Sequence, residues 1–260
     1  MALIHFSHAN GFPADSYQHF FQYLSPHTIH YVPVMGVGQY QVRKSWRPLA
    51  QEIIEDIEAN CTEAVVGLGH SMGAVAVFWA AIERPDLFRQ IIMMDAPIFG
   101  WRLRTMMAIS RFLKIQDRIV PIIKKAKKRR DHFDSKEQAL AYFQSKRLFK
   151  YFAPTSIQEY VDYGLKASPQ GGLELVIPKT LEAKMFSCSP IRIGSTKLEV
   201  PSHFLYATKG VLPARALSEH QQRFDRTTFQ AIEGGHMFPL EKPEELGALI
   251  HQLIKDNQPA

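Results

Sequence analysis

The chain has 260 residues, of which 46% are hydrophobic and 22% are charged, and it carries a formal net charge of +6. This composition excludes a disordered or low-complexity chain, and two cysteines are too few for a disulfide framework. The length fits one large domain, or one domain with a sizeable insertion. The basic excess raises nucleic acid or an anionic surface as a partner, so the position of the charge along the chain matters.

Short apolar segments alternate with helical patterns over most of the chain. Six segments predict β-strands, at residues 2–7, 27–33, 64–68, 90–94, 203–207 and 227–232. Residues 48–60 and 243–255 place their apolar side chains on one face and predict amphipathic helices. Strands that alternate with helices predict an α/β fold, a mostly parallel sheet with helices on both faces.

The alternation stops between residues 100 and 190, where helical patterns follow one another and no strand repeat is evident. Three of these patterns predict helices, at residues 101–113, 135–148 and 156–165. This segment holds 18 Lys and Arg against 8 Asp and Glu, a charge of +10, whereas the other residues hold 13 against 17, a charge of −4. The basic charge is therefore concentrated in one insertion.

The main basic run of this insertion is residues 124–130, which read Lys-Lys-Ala-Lys-Lys-Arg-Arg. Such runs attract phosphate groups, but no nucleic-acid-binding motif surrounds this one. We expect a solvated helix face. Attraction of an anionic substrate is the second interpretation, and a nucleic-acid interface is the third.

Residues 69–73 read Gly-His-Ser-Met-Gly, between the predicted strand 64–68 and the apolar helical segment 74–82. A serine on a tight turn between a strand and a helix presents its hydroxyl as a nucleophile, and the flanking glycines prevent collisions within the turn. The N–H groups at the start of the helix face the reacting oxygen. The pattern therefore predicts Ser71 as a nucleophile and the backbone N–H of Met72 as an oxyanion donor.

Two further loops follow predicted strands. Residues 8–13, after the first strand, read His-Ala-Asn-Gly-Phe-Pro, and the backbone N–H of Phe12 is a candidate second oxyanion donor. Residues 234–236, after the last strand, read Gly-Gly-His, and this places His236 where a general base could reach Ser71. A histidine that follows the serine near the chain end fits the hydrolase order.

These motifs together resemble those of the α/β-hydrolases. The matching pieces are the loop 10–13, the elbow 69–73 and the segment 234–243, and the likeness covers residues 1–99 and 191–260. The resemblance implies a three-layer α/β/α sandwich, with residues 100–190 as a helical cap, or lid, over the active site. The family's loop usually has a histidine where this chain has Asn10. The optional leading antiparallel strands of the family are expected to be absent.

The family most often carries its catalytic Asp after the strand before last, where this chain has Gly210. Asp95 is the best substitute, because some members take the acid from the end of the strand next to the elbow strand. A carboxylate there could fix the tautomer of the histidine. Alternatively, Asp95 caps its own turn. Asp225 and Glu233 are weaker candidates, and a Ser-His dyad without an acid stays open.

The resemblance implies a serine hydrolase that cleaves a carboxylic ester or thioester through an acyl-enzyme on Ser71, most simply in class EC 3.1. The alternatives are a C–C bond hydrolase, a lactonase, a perhydrolase, or a non-enzymatic binding or signalling protein of the same fold. We expect a small acyl substrate, no cofactor or metal, no nucleic-acid partner and no stable membrane insertion. The oligomeric state is open.

The N-terminus lacks a basic region followed by a long apolar stretch, so we predict no signal peptide and a cytoplasmic location. The histidines form no recognisable metal-binding motif, since His5 and His8 lack an H-E-x-x-H or cysteine context. Cys61 and Cys188 are expected to be free thiols.

Overall fold

The computed structural model describes residues 1–113, 115, 120–189, 198–224 and 226–257, without the side chain of Trp101. The described residues form nine strands: β1 Leu3–Ser7, β2 Thr28–Tyr31, β3 Val65–His70, β4 Phe88–Met94, β5 His132–Phe133, β6 Leu165–Ala167, β7 Leu173–Leu175, β8 Ser202–Lys209 and β9 Thr227–Gly235. Six of them build one sheet in the order β2-β1-β3-β4-β8-β9, and its neighbouring strands all pair parallel.

The helices are α1 Gln18–Gln22, α2 Arg47–Asn60, α3 Met72–Glu83, α4 Trp101–Phe112, α5 Pro121–Lys127, α6 Lys136–Gln144, α7 Pro154–Gly164, α8 Lys179–Ser187, α9 Ala214–Arg223, α10 Phe238–Glu241 and α11 Pro243–Asp256. Helix α11 begins with proline and two glutamates, which suit the free N–H groups and the positive dipole end of a first turn. No helix within the described ranges has the length and hydropathy that crossing a bilayer requires.

Alternate residues of the central strands enter two separate cores, because side chains alternate between the faces of a sheet. The core on one face packs against α1 and α11 and includes Ile4, Phe6, Val66, Leu68, Ile92, Met94 and Leu205. The core on the other face packs against α2 and α3 and includes Val65, Ile91, Met93 and Phe204. The predicted α/β architecture, a mostly parallel sheet with helices on both faces, is confirmed.

The segment between β4 and β8 contains helices α4 to α8 and a small antiparallel sheet in the order β5-β7-β6. These three strands were not evident in the sequence. Its strands are only two or three residues long, too short for an alternation of apolar and polar residues to show in the sequence. The end of the segment, at residues 190–191, lies outside the described residues.

An aromatic cluster of this segment packs on the loop that follows β1. The ring of Phe12 in that loop lies 4.7 Å from the ring of Tyr160, 5.9 Å from Phe149 and 6.1 Å from Phe152, measured between centroids. These rings are buried, and a buried aromatic pair contributes about 0.5–1.5 kcal/mol beyond the area it buries. The segment thus packs at the carboxyl ends of the parallel strands, where the predicted site residues lie.

Candidate active site

Ser71 lies on the turn between β3 and α3 with φ 54° and ψ −114°. A positive φ is uncommon for a residue other than glycine and persists only where the surrounding structure imposes it. The Ser71 N–H donates to the carbonyl of Met94 on β4 at 2.8 Å, which holds this backbone in place. The strained turn lifts the serine out of both elements.

The two glycines of the elbow are needed for space. A Cβ atom on Gly69 would lie 2.5 Å from the Cα of Ala74, and one on Gly73 would lie 2.1 Å from the carbonyl oxygen of Ser7. Both neighbours are backbone atoms that cannot move aside. The glycines thus let α3 lie directly against the ends of β1 and β3.

His236 follows β9 and lies between the serine and an acid. Its Nε2 is 2.9 Å from the Oγ of Ser71, and its Nδ1 is 2.6 Å from Oδ2 of Asp95. When Nδ1–H donates to the carboxylate, the Nε2 lone pair is free to accept the serine proton. The side chain of His236 is 24% exposed, whereas that of Asp95 is 1% exposed.

The carboxylate of Asp95 accepts hydrogen bonds from the end of β8 and the loop after it. Oδ1 accepts from the N–H of Ala207 at 3.0 Å, and Oδ2 accepts from the N–H of Val211 at 3.3 Å. These donors are more than 100 positions away, so the carboxylate does not simply cap its own turn. Glu233 is exposed on β9, and Asp225 lies outside the described residues.

Gly210 makes room for this carboxylate. A Cβ atom on Gly210 would lie 2.6 Å from both carboxylate oxygens of Asp95. The acid therefore fills the space beside the position where the family usually carries its Asp. Because β4 and β8 are parallel neighbours in the sheet, a carboxylate from either strand end can reach the same histidine.

The two predicted oxyanion donors differ in their present partners. Met72 is the first residue of α3, so its N–H has no acceptor within the helix. The N–H of Phe12 donates to the carbonyl of Ala9 at 3.1 Å, across a turn in which Gly11 has φ 82°. An oxyanion at Phe12 would have to share this N–H with the Ala9 carbonyl.

A buried network that the sequence did not predict joins the histidine loop to the loop after β1. Nε2 of His70 lies 2.9 Å from the carbonyl oxygen of His236, and Nδ1 lies 2.8 Å from the hydroxyl of Tyr17. Burial, together with the nearby His236, lowers the pKa of His70 to about 3. The neutral ring then donates through Nε2–H and accepts the Tyr17 hydrogen.

A second cluster that the sequence did not predict lies against residues 10–11. Arg129 donates to Oε2 of Glu182 at 2.8 Å and to the hydroxyl oxygen of Tyr160. The Tyr160 hydroxyl donates to the carbonyl of Gly11 at 3.1 Å, and the side-chain amide of Asn10 donates to the carbonyl of Glu182 at 3.0 Å. No spacing in the sequence signals this cluster, because its members belong to separate elements.

The basic run at residues 124–130 therefore divides into two kinds of residue. Its four lysines and Arg130 are exposed, as expected of a solvated face, although α5 ends at Lys127 and residues 128–130 follow the helix. Arg129 departs from that expectation, because its side chain is 15% exposed and is paired with a carboxylate. It follows the end of α5 and faces the interior rather than the solvent.

Three residues near one edge of the sheet could hold a metal ion. Nε2 of His5 and Nε2 of His30 lie 2.9 and 2.8 Å from Oδ2 of Asp56, and all three ligand atoms lie within 4.8 Å of one another. The sequence did not indicate this group, since the two histidines meet only through strand pairing. A metal-bound imidazole usually donates its other N–H to a partner. Nδ1 of His5 is buried and has no hydrogen-bond partner among the described residues. The geometry therefore fits a hydrogen-bonded cluster of the two histidines and Asp56 better than a metal site.

Comparison with protein families agrees with this geometry. The sequence model of the alpha/beta hydrolase family matches residues 3–249. The chain belongs to this family. No curated protein matches its sequence.

Solved alpha/beta hydrolase structures share the fold at low sequence identity. E-2-(acetamidomethylene)succinate hydrolase superposes with a TM-score of 0.78 and 16% identity, over 98% of this chain and 91% of that one. The thioesterase domain from the curacin biosynthetic pathway gives 0.73 and 14%, over 96% and 90%. An esterase from a marine microorganism gives 0.68 and 15%, over 96% and 94%. The family and these neighbours support a hydrolase.

Proposed function

We propose that this alpha/beta hydrolase cleaves a carboxylic ester or thioester through an acyl-enzyme on Ser71. The observation that carries the proposal is the continuous hydrogen-bonded chain from the Ser71 hydroxyl through His236 to Asp95, with separations of 2.9 and 2.6 Å. A nucleophile within reach of a base, and a base oriented by a buried acid, are what acyl transfer by serine requires.

In the acylation step, the Oγ of Ser71 attacks the acyl carbonyl while its proton passes to Nε2 of His236. The carbonyl oxygen becomes an oxyanion, which the N–H groups of Met72 and Phe12 stabilise. Asp95 stabilises the imidazolium that forms. The imidazolium then protonates the departing alcohol or thiol, and the acyl group is left on the serine.

Deacylation repeats these steps with water. Nε2 of His236 takes a proton from a water molecule, whose oxygen attacks the acyl-enzyme carbonyl. Collapse of the second tetrahedral intermediate releases the acid and returns the proton to Ser71. This sequence needs no group beyond the side chains and the backbone N–H groups named above.

The segment 100–190 is proposed to act as a cap over this site. Its buried rings pack on Phe12 in the loop after β1. In the same loop, the Tyr160 hydroxyl donates to the carbonyl of Gly11, and the backbone carbonyl of Glu182 accepts from the side-chain amide of Asn10. A cap in this position would exclude water from the acyl group and would select the substrate. A panel of p-nitrophenyl esters and acyl thioesters with increasing acyl length would define the acyl pocket.

A covalent serine probe tests the proposal. We expect a fluorophosphonate to label the wild-type protein and not the Ser71→Ala variant, and we expect p-nitrophenyl ester turnover to fall by at least about 10³-fold in that variant. The matched control is Ser218→Ala, since Ser218 is an exposed serine on α9. If the wild type shows neither labelling nor turnover at any acyl length, the alternative of a non-enzymatic binding protein is favoured.

A further inference from the structure

Three elements of the segment 100–190 converge on the loop after β1. Arg129 follows α5, Tyr160 lies on α7 and Glu182 lies on α8. The guanidinium and carboxylate side chains are 15% and 11% exposed, so this ion pair is largely removed from solvent. A buried ion pair adds little net stability, because removing both charges from water offsets their attraction. The placement of the pair therefore calls for a reason other than stability.

The hydroxyl of Tyr160 donates to the carbonyl oxygen of Gly11 at 3.1 Å. That carbonyl belongs to the same peptide unit as the N–H of Phe12, the candidate oxyanion donor. Because a peptide unit is planar and trans, fixing the direction of its C=O also fixes the direction of its N–H. The contact with Tyr160 therefore holds this peptide unit on its carbonyl side, while the hydrogen bond from the Phe12 N–H to the carbonyl of Ala9, at 3.1 Å, holds its other side.

Gly11 needs such a constraint. It has φ 82°, and glycine rotates freely where other residues are restricted. A Cβ atom on Gly11 would lie 3.0 Å from Oε1 of Glu182 and 3.3 Å from a guanidinium nitrogen of Arg129. The ion pair thus lies directly against the glycine, and an ordinary side chain there would push it away.

The orientation of Tyr160 is itself fixed from several sides. Arg129 donates to its hydroxyl oxygen, and the rings of Phe12, Phe143 and Phe149 lie 4.7, 5.0 and 5.1 Å from its ring. Burial raises the pKa of Tyr160, so the hydroxyl keeps the hydrogen that it donates to the peptide. With its oxygen occupied by the guanidinium, that hydrogen is directed at Gly11.

We propose that Tyr160, held by Arg129 and Glu182, is a positioning residue that orients the Gly11–Phe12 peptide for donation to the oxyanion. This inference rests on the proposed serine hydrolase function. It makes the segment 100–190 part of the catalytic apparatus as well as a cover. A movement of that segment that carried Tyr160 away would weaken one oxyanion donor, so closure and chemistry would be coupled.

The Tyr160→Phe variant tests this inference, because it removes only the hydroxyl and keeps the ring. We expect kcat for a p-nitrophenyl ester to fall about tenfold while KM changes less than twofold, since the lost contact acts on the transition state. An alkyl trifluoromethyl ketone forms a hemiketal oxyanion with a serine, and its Ki should rise by a similar factor. Tyr163→Phe, an exposed tyrosine on the same helix, is the matched control.

Arg129→Lys is a second variant. It keeps the positive charge but loses the planar guanidinium, which donates to both Tyr160 and Glu182. We expect Arg129→Lys to lower kcat, as Tyr160→Phe does. The melting temperature of Tyr160→Phe serves as the folding reference for this comparison. Unchanged kcat and inhibitor affinity in Tyr160→Phe would overturn the inference, and so would a rise in KM alone. If fluorophosphonate does not label wild-type Ser71, the underlying function is overturned instead.

Discussion

Replacing Asp95 by asparagine tests whether this residue is the acid of the triad. The carboxylate accepts three hydrogen bonds, from His236 Nδ1 at 2.6 Å and from the N–H groups of Ala207 at 3.0 Å and Val211 at 3.3 Å. An asparagine side chain offers one oxygen and one NH₂ group. It cannot accept on both sides, so at least one of the three donors loses its acceptor in either orientation.

The two orientations have different consequences. With the oxygen towards Ala207, the NH₂ group faces His236 and donates to Nδ1, so the proton of the neutral imidazole moves to Nε2, where it prevents acceptance from Ser71. With the oxygen towards His236, the tautomer is kept, but the negative charge that stabilises the imidazolium is lost. The NH₂ group then faces the N–H of Ala207, and two donors oppose each other.

The expected loss in kcat is as much as about 10⁴-fold, the order found when a triad histidine is held in the wrong tautomer. At 1.36 kcal/mol for each tenfold, this is about 5 kcal/mol in activation free energy. The expected loss of stability is only about 1–3 kcal/mol, the effect of one buried donor without a partner. Steady-state turnover of a p-nitrophenyl ester and urea unfolding measure the two effects separately.

A kcat/KM value within a few-fold of wild type would remove Asp95 from the mechanism and leave a Ser-His dyad or another acid. A loss of rate that merely matched a loss of folded protein at the assay temperature would also contradict the expected separation. Circular dichroism of the same preparations excludes that second explanation. The exposed Glu233, changed to glutamine, is the matched control.

Two other substitutions test nearby features. Gly210→Ala would place a methyl group 2.6 Å from both Asp95 oxygens, so we expect kcat/KM to fall about tenfold or more. The exposed neighbour, changed in Lys209→Ala, serves as the control, and a fully active Gly210→Ala would refute the packing argument. Burial raises the pKa of Glu52 to about 7, although its carboxylate accepts from the N–H of Gly36 at 2.7 Å. Burial disfavours the ionised carboxylate in the native state, so the native state is most stable while Glu52 is protonated. This stability is lost as the pH rises from about 4.5 through about 7. At pH 8, Glu52→Gln should therefore raise the melting temperature and increase the unfolding free energy by on the order of 1–3 kcal/mol. At pH 4 it should change both quantities little. An equal effect at both pH values would refute the assignment.

The predicted strands agree with the structure to within about two residues at most ends, because apolar runs and their glycine-rich boundaries are local properties. The end of β9 is the exception, since this strand continues three residues past the predicted end, to Gly235. The short strands β5 to β7 were missed, because two or three residues carry no period. The helix predicted at 135–148 ends at Gln144, before a 3₁₀ turn at Arg147–Phe149.

What the sequence by itself determined is the local chemistry: a serine between two required glycines, a histidine after the last strand, and an acid at a strand end. These features depend on residues close together in the chain, and their backbone constraints can be inferred from residue type. Tertiary structure alone decided which groups meet. The side chain of Asp95 fills the space that Gly210 leaves only because β4 and β8 are neighbours. Arg129, Tyr160 and Glu182 meet at Gly11 only because three separate elements fold onto one loop, and no spacing along the chain encodes that contact.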